Sequence, residues 1–150
     1  MELHLNIIGY LLVLLALLHL SFPRYFNWKT DLNNLVLINR QMMYVHTFFI
    51  ALTVLLTGVL CITSAQELVQ TKLGNKLALG LFIFWALRLA TQFVGYSTHL
   101  WKGKRFETFV HFAFSFLWLY VSAVFFMVYW SSRQLILKTL ILAVIVKWLY

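Results

Sequence analysis

Four long apolar runs, separated by short polar connections, set the pattern of this chain. They cover residues 5–22, 42–63, 77–97 and 109–130. Each is close to the roughly 20 residues that a helix needs to cross a hydrocarbon layer. A fifth run, 135–150, is shorter and carries Lys138 and Lys147 near its ends, where their stems can snorkel. Its centre, 140–146, shows no polar face, so it reads as a fifth span, with an interfacial helix as the alternative. No strand-like alternation, internal repeat or low-complexity tract is visible. The expected fold is an all-α integral membrane protein, a bundle of four transmembrane helices plus this fifth helix, forming one multi-pass domain over 1–150.

The connections refine that outline. The longest, Pro23 to Gln41, opens on a break at Phe22-Pro23 and offers Asp31 as a helix N-cap. Leu32, Leu35 and Val36 then form a small apolar face beside Asn33 and Asn34, which predicts a short interfacial helix between the first two spans. Gly74-Asn75 and Gly103 predict the turns before the third and fourth spans. Trp28, Trp101, Trp130 and Trp148 fall near predicted boundaries and read as an aromatic belt. The first run reads as a retained span rather than a cleaved signal. Residues 1–4 hold no Lys or Arg, and no A-x-A-like site follows.

Composition supports the membrane class. The chain of 150 residues is 63% apolar and only 11% charged, against roughly 25% charged in an average soluble domain. Twelve Lys and Arg against four Asp and Glu give a net charge of +8, which in a soluble protein would suggest nucleic acid. Here it follows from topology, because basic residues gather in cytoplasmic connections, and no nucleic-acid partner is expected. Connections 22–41 and 98–106 hold six (Arg24, Lys29, Arg40, Lys102, Lys104 and Arg105). The other side holds four (Lys72, Lys76, Arg133 and Lys138), so the N-terminus is expected outside, in a bacterial inner membrane or its equivalent. Cys61 stands alone in an apolar run and reads as a packing residue.

Candidate chemistry lies in the polar residues that are costly in lipid. Arg88, Gln92, Gly95 and His99 follow at i, i+4, i+7 and i+11 and share one helix face. Arg88 falls near mid-depth, so it should face the bundle or a wet cavity with a partner. His19, His46, His99 and His111 all fall in the cytoplasmic half under this topology. The stripes His46, Thr53, Thr57 and His111, Ser115, Ser122 suggest inward faces. The aromatic run 112–118 alternates and reads as lipid-facing surface and packing.

Three chemistries compete for this cluster. A small-molecule pocket would use Arg88, Gln92, Arg40, Gln41 and Tyr44 to hold a quinone- or lipid-like ligand, since an arginine fork suits carboxylate or phosphate. A b-type haem would use His46 and His111 as axial ligands, making the chain an electron-transfer subunit. A metal would use His19, His46, His99 and His111, although the inward carboxylates of a di-iron bundle are missing. Glu107 stands four residues before His111 and could hydrogen-bond it. The rival to all three is a structural or accessory subunit of a membrane complex, or of a homo-oligomer, in which these groups satisfy one another. Motifs of soluble hydrolases, phosphate-binding loops and zinc proteases do not occur, and no activity is assigned.

Overall fold

The computed structural model describes the backbone of residues 1–149 and all side chains except those of 132, 135–140 and 142–149. It is 86% helical, with no strand among the described residues. The elements in chain order are α1 (Glu2–His19), α2 (Phe22–Tyr25), α3 (Trp28–Asp31), α4 (Leu37–Thr63), α5 (Ala65–Gln70), α6 (Lys72–Val94), a 3₁₀ turn (Thr98–Leu100) and α7 (Arg105–Leu149). Four helical segments are long and apolar enough to cross a membrane: α1, α4, α6 and residues 105–131 of α7. Residues 2–65 and residues 66–150 form two compact units.

In the first unit α1 packs on α4. The buried positions of α1 are Leu5, Ile8, Gly9, Leu12, Leu15 and Ala16, which return every three to four residues. They meet Ala51, Val54, Gly58 and Cys61 of α4. Gly9 and Gly58 mark the closest approach. A Cβ on either would stand 2.8 Å from the carbonyl oxygen of the other. Small residues that let two backbones touch are the usual means of pairing helices where lipid removes the hydrophobic drive. His46 and Thr53 are exposed and Thr57 is half-buried, so the stripe expected to face inward does not form the contact face. Thr53 and Thr57 instead donate to the carbonyls of Phe49 and Thr53 one turn back.

The link between α1 and α4 also differs from expectation. Asp31 does not start a helix but ends the single turn α3, and 32–36 run through turns to Val36, the residue before α4. Pro23 sits in the first turn of α2, where its missing N–H leaves no bond broken. Asn27 takes a left-handed conformation, φ 49°, and turns the chain between α2 and α3.

In the second unit α6 packs on α7. The helix begins at Lys72, before the expected turn, because Thr71 caps it. Its hydroxyl accepts from the Gly74 amide at 2.9 Å and donates to the Glu67 carbonyl at 2.8 Å. Gly74 and Asn75 therefore lie inside α6. A Cβ on Gly74 would collide with the Glu67 carbonyl and Leu68 Cα of α5, so glycine serves close approach here rather than a turn. The Asn75 side chain donates to the Tyr129 carbonyl across the pair at 3.0 Å. Gly103, with φ 84°, does make the turn before α7.

α7 runs on without a break through 131–134, where a connection was expected. Its 45 residues span about 67 Å at 1.5 Å each, roughly twice the hydrocarbon thickness. Except for Ile141, the side chains of the expected fifth span at 135–150 lie outside the described residues.

Candidate functional site

The polar residues of α6 and α7 meet at one end of their interface. Arg88 Nη1 donates to Gln92 Oε1 at 3.1 Å, one turn along α6. Gln92 Nε2 lies 3.1 Å from His111 Nδ1 on α7. Arginine carries donors only, so the amide oxygen must face Arg88 and the amide NH₂ must face His111. His111 Nδ1 is then an acceptor, and the ring proton of the neutral imidazole lies on Nε2. Gln92 and His111 are both buried.

Aromatic rings enclose this chain of hydrogen bonds. Trp101 stacks on His111 with centroids 4.4 Å apart and planes 11° apart, while Phe93 meets the imidazole edge-on. The Trp101 backbone is held by Thr108, whose hydroxyl donates to its carbonyl at 2.6 Å. The Arg88 guanidinium carbon lies 4.9 Å from the Trp118 ring and 5.9 Å from that of Tyr96, distances at which cation–π attraction operates. Trp118 in turn stacks on Trp85 at 5.1 Å. Both indole N–H groups are buried without a hydrogen-bond partner among the described residues. Ser115 and Ser122 continue the buried face as their spacing predicts, each donating to the carbonyl one turn back.

The groups with unused capacity here are donors. Arg88 spends one recorded bond on Gln92, of the roughly five N–H groups a guanidinium offers. His111 adds Nε2–H. Such a set receives an oxygen-rich, acceptor-bearing group: a carbonyl, carboxylate or phosphate.

The expected ligand set divides between the two units. Arg88 and Gln92 meet as described. Arg40, Gln41 and Tyr44 belong to α4, where Arg40 donates to Asn33 at 3.0 Å and Tyr44 packs edge-on against Trp28. His99 does not continue the Arg88 face. α6 stops at Val94 with Gly95 as its cap, and His99 falls exposed in the 3₁₀ turn beyond it. Glu107 is not the partner of the His111 Nδ1, which is met by Gln92 from the neighbouring helix.

The histidine alternatives can be placed in the same way. His46 is exposed on α4, and His19 Nδ1 bonds the Leu15 carbonyl at 2.8 Å. Haem or metal ligation by His111 would need a lone pair on Nε2, which carries the proton while Gln92 holds Nδ1. Among the described residues no group of three or more His, Cys, Asp or Glu side chains gathers for a metal.

Trp85, Tyr96, Trp101 and Trp118 were not legible as site residues. Trp101 read as belt and Trp118 as packing, and their spacing to Arg88 and His111 carries no periodic signal. No known family model, curated protein or solved structure matches the chain.

Proposed function

We propose that this chain is a multi-pass membrane protein that binds an amphiphile with an acceptor-rich head, of lipid or quinone type, at Arg88, Gln92 and His111. The observation that carries this reading is Arg88. A permanent charge on a face of a spanning helix is costly in lipid, up to about 2.5–3.5 kcal/mol at the centre, and no ion pair satisfies Arg88 among the described residues. It is held instead by one amide and two ring faces, with donors left over. The rings of Trp101, Trp118 and Tyr96 supply apolar surface beside those donors, as small-molecule sites generally do.

The test is the native content of protein purified in mild detergent. Mass spectrometry of the extract should reveal a retained phospholipid or quinone, and the masses tell the two apart. Arg88→Gln should lower its occupancy about tenfold or more, the worth of a charge-assisted bond. Content unchanged in a stably folded Arg88→Gln protein would reduce Arg88 to a structural residue.

In this reading the N-terminus lies outside and the Arg88 end of the second unit faces the cytoplasm, because 22–41 and 98–106 carry the larger share of Lys and Arg. The segment 20–36, with Phe26, Tyr25 and Val36 exposed, lies along the cytoplasmic interface. Single cysteines replacing Lys104 and Gln70 in a Cys61→Ser background test the orientation. An impermeant thiol reagent should label position 70 from outside and spare position 104; the reverse pattern would invert the topology.

A further inference from the structure

A pocket lies in the 2–65 unit, away from Arg88, Gln92 and His111. The end of α1, the turns α2 and α3 and the first half of α4 line a half-open pocket of about 130 Å³, with Leu20, Tyr44 and Phe48 exposed at its rim. Its walls include Leu20, Pro23, Phe48 and Ala51, with Trp28 and Tyr44 meeting edge-on at 5.3 Å. A cavity of about 150 Å³ with apolar walls accommodates one benzene ring, so the space here suits a single six-membered ring.

The wall carries four polar side chains, His19, Trp28, Tyr44 and Thr47, of which the first and last offer an acceptor and a donor. His19 Nδ1 faces the Leu15 carbonyl at 2.8 Å. A carbonyl only accepts, so the ring proton is on Nδ1 and Nε2 of the neutral ring keeps a lone pair. Thr47 supplies the donor. Along α4, Thr53, Thr57 and Thr63 each donate to the carbonyl four residues back at 2.8 Å. Thr47 lines the pocket and makes no such bond among the described residues, so its hydroxyl is free to donate. No acidic or basic side chain other than His19 lines the space, which favours a neutral occupant.

We propose that this pocket binds a neutral phenolic ring, the hydroxyl donating to His19 Nε2 and accepting from Thr47 Oγ1, with the ring among Trp28, Phe48 and Pro23. A hydroxyl matches one acceptor and one donor at the same time, and an aromatic ring matches the volume and the aromatic wall. This site is independent of the Arg88 site, whose surplus is of donors alone.

The experiment titrates 4-fluorophenol and fluorobenzene into the purified protein in detergent, read by fluorine NMR. 4-Fluorophenol should give a saturable shift, and fluorobenzene should bind about thirtyfold more weakly, the worth of the two hydrogen bonds it cannot make. Thr47→Val keeps the shape and removes the hydroxyl. It should weaken 4-fluorophenol about fivefold to tenfold, one hydrogen bond's worth, and leave fluorobenzene unchanged. Ala51→Leu should fill the space and remove saturable binding of both. Equal affinity of the two probes, an unaltered titration in Thr47→Val, or a non-saturable shift that Ala51→Leu does not change would each overturn the proposal.

Discussion

The two helix pairs solve one packing problem by different chemistry. α1 and α4 join through Gly9 and Gly58 and a seam of small and aliphatic residues. α6 and α7 join through stacked tryptophans, a buried Gln–His bond at one end and an Asn–carbonyl bond at the other. Where no water remains to be expelled, helices associate by close van der Waals contact or by hydrogen bonds, and each pair leans on one of these. The contrast has a functional side. A glycine seam is satisfied when it closes, whereas the α6–α7 interface closes with donors unspent at Arg88 and at the indoles of Trp85 and Trp118.

Substitutions can break this contrast, beginning with the glycine seam. Gly58→Leu places a side chain where even a Cβ lies 2.8 Å from the Gly9 carbonyl and 3.1 Å from the Val13 amide. Backbone cannot give way as a side-chain tip can, so a loss of about 3 kcal/mol is expected in reversible unfolding in mixed micelles. Gly80 has nothing within 4 Å of a Cβ, and Gly80→Ala serves as the neutral control. A neutral Gly58→Leu would mean the first pair does not rest on close approach.

Gln92→Leu tests the second pair. It keeps the apolar volume but strips both Arg88 and the His111 Nδ1 of their partner. The expected cost is about 1.5 kcal/mol, toward the upper end for a hydrogen bond between membrane helices. The smallest effect should come from Thr57→Val, whose hydroxyl bonds only its own helix. A change within about 0.5 kcal/mol is expected, and a larger one would reveal a tertiary role for that stripe.

The two units also differ in how far they could be foreseen. The Arg88–Gln92 contact follows from four-residue spacing on one helix, and His111 and Ser115 were rightly placed on a buried face. The inward stripe of α4 was misplaced because Thr53 and Thr57 look polar yet can satisfy themselves on their own backbone and stay at the surface. His99 was misplaced because spacing was carried past Gly95, where α6 stops. Haem ligation by His111 looked open from the sequence. The tautomer that Arg88 imposes through Gln92 argues against it, and an absorbance spectrum of protein produced with haem available, lacking a Soret band, would agree.

Hydropathy and length were sufficient to identify four helices of spanning length, since a helix meets its backbone bonding needs within its own segment. The scarcity of charge likewise singled out Arg88 before any fold was known. Partner choice lies outside that local logic. Which ring covers His111, which amide bridges Arg88 to it, and which threonine is left facing a pocket depend on contacts between different elements of the chain. Long-range contacts of that kind have no period in the chain, and close packing of the helices sets them.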